Sequence, residues 1–266
     1  MAFYADVMVN ASKSEHRLAA HEEFYDRFSR LVREPAGRNH TFESLEWITQ
    51  VTPADSAFRI ISWQLMVSED QYRYFGFLVP FDPGRNVVEL HDKRSLRSEY
   101  GRHNAATWYG ALYYGIQPFM LDDTTLAYMV LGFNGHDSKT NQKVADVLLW
   151  KEDDVQLGAP VFMPGDSTTG QDIRERIILE YADAASGRMQ FDRERQMLVY
   201  DHVITIFTDG PDAGPLLVPD GSYHGYQYAK GSWEFVNKVF HVKVDTPPGP
   251  GLDRDKNLDI FGRPKN

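Results

Sequence analysis

The residues with the most chemical reach in this chain lie in loops and at strand ends. The segment NGHDSKTN (134–141) carries the densest set of loop oxygens. Asn134, Asp137 and Asn141 could offer hard ligands to calcium, which takes six to eight oxygens in flexible geometry. The segment departs from the EF-hand template, lacking its acid–glycine order and its glutamate at the twelfth position. The competing reading is a turn, where Asn and Gly accept left-handed backbone and Asp caps amides. Asp122 and Asp123 allow the same two readings.

Asp146 sits inside KVADVLLW and shares a strand face with Val144 and Leu148, opposite Val147 and Leu149. An acid on an apolar face either accepts hydrogen bonds from buried groups or belongs to a site. Structural anchoring is the expectation. Asp201 and His202 are neighbours in a strand, so they point to opposite faces and cannot pair with each other. Each needs a partner from elsewhere, as does His224. Asp146, Asp201, His202 and His224 are the catalytic candidates. No H-x-H, H-E-x-x-H, G-x-S-x-G, P-loop or G-x-G-x-x-G pattern organises them. Trp108, Tyr226, Tyr228 and Trp233 could make a platform on which sugar rings stack. The alternative is core filling and cross-strand pairing, at which aromatics also excel.

The elements that must position these residues are mostly strands. Residues 12–34 read as an amphipathic helix, opened by a Ser12–Glu15 capping box and stopped by Pro35 and Gly37. Its apolar stripe is Leu18, Phe24, Tyr25, Phe28, Leu31 and Val32. TFESLEWITQ (41–50) reads as a second short helix with Phe42, Leu45 and Ile48 on one side. From Ala57 onward the texture is β-branched and aromatic, punctuated by turns such as DPGRN and NGHD. About 12 short strands result. This spacing predicts a mainly β, antiparallel meander: a sandwich, a barrel or a small propeller-like arrangement. The expected organisation is a helical segment over 1–52 packing on a β domain over 53–243, followed by a Pro/Gly-rich tail over 244–266. Leu258, Ile260 and Phe261 in that tail could dock on the body.

Composition narrows the classes. The 266 residues carry a net charge of −10 and no concentrated basic patch, which argues against a nucleic-acid partner. The short cluster Lys93, Arg94 and Arg97 reads as a solvated loop. With no cysteine, disulfides, thiolate zinc sites and cysteine nucleophiles are excluded. No apolar run is long enough for a transmembrane helix. The start, MAFYADVMVNASKSE, lacks the basic and apolar regions of a signal peptide, which leaves a cytoplasmic address open.

The ordered segments FRIISWQL, WYGALYYGI, YMVLGFNGHDSKTNQKVADVL, GAPVF, RIILEYA, MQFDRERQMLVYDHV and PDGSYHGYQYAKGSWEFV carry a resemblance. In order and spacing, over about residues 15–240, the chain resembles a group of uncharacterised exported proteins found widely in Bacteroidetes. LGFNGHD…TNQKVADVL and PDGSYHGYQYAKGSWEFV are its most specific pieces. The resemblance implies a periplasmic or cell-envelope address and transfers no activity, cofactor or site residue. The leading expectation is a module that binds a small molecule, glycan or protein partner without turnover, needing no cofactor unless calcium binds. A second reading is a hydrolase of glycans or peptides, with Asp137, Asp146, Asp201, His202 and His224 gathered at one rim. A third is a structural subunit of an envelope assembly.

Overall fold

The computed structural model describes residues 1–68, 70–93, 98–151, 154–165, 172–208 and 214–240. The chain forms four layers: helices, then three sheets stacked face to face. The first sheet runs β1 (Thr49–Val51), β2 (Phe58–Ser68), β3 (Gln71–Pro80) and β4 (Val88–His91), in that order. The central sheet orders β5 (His103–Asn104), β9 (Val155–Leu157), β8 (Thr140–Trp150), β7 (Leu126–Asn134) and β6 (Leu112–Met120). In this sheet β11 (Arg176–Ala182) pairs with the first half of β8. The third orders β10 (Phe162–Met163), β15 (Ser232–Val236), β14 (Gly214–Ala229), β13 (Met197–Thr208) and β12 (Met189–Asp192). Every pairing between these strands is antiparallel except β10 with β15. The result is sandwich-like, with no closed barrel.

Strand periodicity explains the stacking. In β2, Phe58 and Ile60 face the central sheet, while Ile61, Trp63 and Leu65 face the helices. In β7, Tyr128 and Val130 face the first sheet, and Ala127, Met129 and Leu131 the third. In β8, Val144 and Leu148 point one way, Ala145, Val147 and Leu149 the other. Strands covered on both faces read as continuous apolar runs, which is why LAYMVLGF and VADVLLW show no clean alternation.

The helical layer is α1 (Ala2–Asn10), α2 (Ser14–Leu31) and α3 (Pro35–Asn39). Phe24, Phe28 and Val32 are fully buried on Trp63, Phe77 and Val79, and each such side chain contributes about 1.5–3 kcal/mol. The structure corrects the sequence reading in this layer. The N-cap of α2 is Lys13, with no side-chain capping bond, so the Ser12–Glu15 box does not form. Instead the buried Arg17 donates to the carbonyls of Ala11, Ser12 and Met66, tying the α1–α2 junction to β2. Leu18 is exposed, because Ala20 and His21 hold the inner face. α2 stops at Leu31, before Pro35 as expected, and Pro35 then begins the separate α3, as suits a ring with φ preset for a first helical turn.

Segment 41–50 is not a helix. Phe42 takes φ 50°, and two successive turns bond Leu45 to Phe42 and Ile48 to Leu45. A three-residue step keeps all three apolar side chains on one side, so they reach the core without helical structure. The tail over 244–266, with Leu258, Ile260 and Phe261, lies outside the described residues, as do Arg94 and Arg97.

Candidate functional site

The expected site residues fall at separate places. Asp146 is buried between the first and central sheets and pairs with Arg176, its cross-strand neighbour on β11, at 3.1 Å. Its second oxygen accepts the Val147 amide at 2.8 Å. Arg176 also donates to the carbonyls of Ser98 and Leu157. Asp146 is thus the interior clamp of the central sheet, with no face open to a substrate.

The 134–141 segment is the β7–β8 turn. Asn134 is buried and donates to the Gly110 carbonyl. One Asp137 oxygen accepts the amides of Lys139 and Thr140 and the Thr140 hydroxyl. These bonds hold its carboxyl below the usual range against the opposing effect of partial burial. Asn141 donates to Asp183. Asp137, Asn141 and Asp183 line a polar hollow of about 430 Å3 with Gln64 and Tyr72. Among the described residues no group of three or more His, Asp or Glu converges as metal ligands. Asp122 caps the turn at the other end of β7 through Thr124 and Thr125, roughly 30 Å away at 3.3 Å per residue.

The third sheet carries the remaining candidates. Asp201 accepts the Arg188 amide at 2.7 Å, and burial raises its carboxyl above the usual range. His202 and His224 meet, with ring centroids 4.5 Å apart, and His202 Nδ1 lies 2.8 Å from Asp220. Asp146 and Asp137 are elsewhere, so the five residues proposed for a hydrolase do not share one rim. The aromatic platform is also corrected. Trp108, Tyr226 and Trp233 are at most 2% exposed and form core. Trp108 lies between the first two sheets, and Tyr226 and Trp233 between the last two. Tyr228 is half-buried, with its hydroxyl on the Met120 carbonyl and its ring against Phe119 and Trp233.

An aromatic cleft lies at an open end of the first sandwich, built from residues scattered along the chain. It spans about 490 Å3, within the range of small-ligand sites. Phe58 starts β2, Pro80 ends β3, Tyr128 lies in β7 and Trp150 ends β8. Phe58 meets Tyr128 edge-on at 4.8 Å and Trp150 at 5.3 Å. The DPGRN turn supplies Arg85, whose guanidinium lies 5.3 Å from the Trp150 ring centre. Asp82 accepts the Gly84 amide within this turn, and Arg38 of α3 donates to the Arg85 carbonyl at 2.9 Å. The turn is thereby held from below. Among the described residues no carboxylate pairs with Arg85 at salt-bridge distance.

Next to the lining residues Ser56 and Ala57, Asp55 accepts the Tyr128 hydroxyl at 2.8 Å and the Ala57 amide at 3.1 Å. Burial, and then this bond, push the Tyr128 hydroxyl well above the ordinary phenol range, so it remains a donor at neutral pH. Ser56 beside it takes φ 53°, a left-handed conformation uncommon for a side chain. The cleft therefore offers an aromatic lining of Phe58, Tyr128 and Trp150, one cation facing solvent, and the polar Ser56 and Asp82. Among the described residues it presents no paired acid and base positioned for bond cleavage. The sequence signals for it were a turn, DPGRN, and the last residue of a strand, neither of which announces a site. Among the described residues, no helix is long and apolar enough to cross a membrane. Comparison with models of protein families, with curated proteins and with solved structures finds no match for this chain.

Proposed function

We propose that this protein is a binding module of the cell envelope that holds a carboxylate-bearing sugar ring in the cleft between Arg85, Trp150 and Tyr128. The observation that carries the reading is Arg85, stacked on Trp150 in a concave cleft with no carboxylate partner among the described residues. A guanidinium fork matches a carboxylate bidentately, and its bonds to an ionised partner are stronger than neutral ones. The indole face suits the apolar face of a pyranose ring, and the polar lining residues Ser56 and Asp82 suit hydroxyls. The resemblance to exported proteins of Bacteroidetes supports the envelope address. No cofactor enters this reading.

The experiment is a calorimetric titration with an oligomer of uronic acid and with its neutral counterpart. The acid should bind and Trp150→Ala should abolish the binding while leaving the fold intact. Equal affinity for both sugars, or binding that survives Trp150→Ala, would overturn the proposal.

A protein partner is a second reading. Ile204 and Ile206 are about 40% exposed and Phe207 is 81% exposed, all on the outer half of the β13–β14 ribbon. Light scattering of the isolated chain tests its simplest form, self-association, and a monomer at micromolar concentration would count against it.

A further inference from the structure

Strands β13 and β14 lose register at one point. Asp201 pairs with Tyr223 and Val203 with Pro219, so His202 alone faces Asp220, Gly221 and Ser222. Gly221 takes φ 84°, which lets the extra residues fold outward at no side-chain cost. A bulge of this kind re-aims side chains, and here it turns His202 toward β14. Its Nδ1 meets Asp220 Oδ2 at 2.8 Å. The other Asp220 oxygen accepts the Ser222 amide at 2.8 Å and the Ser222 hydroxyl at 2.7 Å, so the carboxylate is held in place.

His224 comes from two residues beyond the bulge. Its ring lies 4.5 Å from that of His202, tilted by 46°. It is flanked edge-on by Phe235 and Tyr200. His202 thus has one ring nitrogen engaged by a neighbouring side chain. That arrangement orients the ring and leaves the second nitrogen to ligate.

The ring separation is informative. A nitrogen–metal bond of about 2.0 Å puts an imidazole centre about 3.2 Å from the ion, so two rings at right angles lie about 4.5 Å apart, against about 5.2 Å for a tetrahedral pair. The observed 4.5 Å matches the right-angled pair. We infer that His202 and His224 form a two-imidazole site for a tetragonal transition-metal ion, copper(II) foremost, with Asp220 as the positioning residue for His202. Among the described residues no group of three His, Asp or Glu completes a ligand set, so the two imidazoles are the ligands the structure supplies. Copper(II) is favoured because it binds nitrogen ligands most tightly of the common divalent ions and prefers this geometry.

The test is titration of the full chain with Cu2+ alone, read by calorimetry and by electron paramagnetic resonance. His202→Gln, His224→Gln, the double variant and Asp220→Asn are compared. The unaltered chain should bind one ion with hyperfine coupling to two nitrogens. Either single histidine change should weaken binding at least about tenfold, and Asp220→Asn about tenfold, the usual cost of losing an orienting partner. Circular dichroism verifies that each variant is folded. A double variant that binds Cu2+ as tightly as the unaltered chain overturns the inference. If a variant fails to fold, the spectrum of the unaltered chain decides: fewer than two coupled nitrogens overturns it.

Discussion

Replacing Arg176 by Met removes the cation from the interior clamp and leaves Asp146 without its partner. The Arg176 and Asp146 side chains are 0% and 1% exposed, so water cannot substitute. Asp146 would keep the Val147 amide and lose the Arg176 Nε donor, while the Leu157 carbonyl would lose Nη2. Ser98 lies at the surface, and its carbonyl can turn to solvent. The dominant cost is therefore an uncompensated buried charge, about 3–5 kcal/mol. Total stability of a native protein is about 5–15 kcal/mol, so this loss is a large fraction of it. At roughly 2–4 °C per kcal/mol for a chain of this size, the melting midpoint should drop by roughly 6–20 °C. Urea unfolding followed by far-ultraviolet circular dichroism measures the free energy directly. The double change Asp146→Leu with Arg176→Met removes both charges and should cost much less than the two single changes added together. A single variant within about 1 kcal/mol of the unaltered chain would refute the clamp, because a buried charge cannot lose its partner so cheaply.

Two further changes probe the same framework. Gly158 has φ 89°, and a Cβ there would lie 2.6 Å from Arg176 Nη2. Gly158→Ala should cost about 1–3 kcal/mol in the same urea assay, from backbone strain and a displaced guanidinium. Burial, and then Arg73, lower the His21 pKa from 6.5 to about 4. The unfolded chain therefore binds the extra proton between these values, so stability is fully present above pH 6.5 and falls as pH drops toward 4, by about 3 kcal/mol. His21→Leu, placed among Trp63, Phe75 and Tyr25, should flatten that limb of the stability–pH curve, and an unchanged slope would contradict the assignment.

Much of the architecture was legible in the sequence, and the reasons are local. FRIISWQLMV and QYRYFGFLVP carry the β-branched and aromatic texture of strands, and they pair antiparallel as β2 and β3. The anchoring role of Asp146 followed from an acid on an apolar strand face, although its partner, 30 residues away, was not visible. Sheet number was hidden because the central sheet is covered on both faces, so its strands carry no alternation to say which side is which. The helix expected over 41–50 failed because a spacing of three serves consecutive turns as well as a helix. Trp108, Tyr226 and Trp233 were aromatic enough for a binding platform, and packing claimed them first. The cleft could not be read because Phe58, Arg85, Tyr128 and Trp150 come from four separate segments and meet only once the two sheets stack.

The most direct test of the binding account is the preference for an acid over its methyl ester, measured by calorimetry for the unaltered chain and for Arg85→Met. The uronic acid should bind the unaltered chain about tenfold more tightly than its ester, the worth of one charge-assisted contact at an exposed guanidinium. Arg85→Met should erase that preference while leaving the affinity for the ester nearly unchanged, since the Trp150 wall remains. A preference for the acid that survives Arg85→Met would contradict the account.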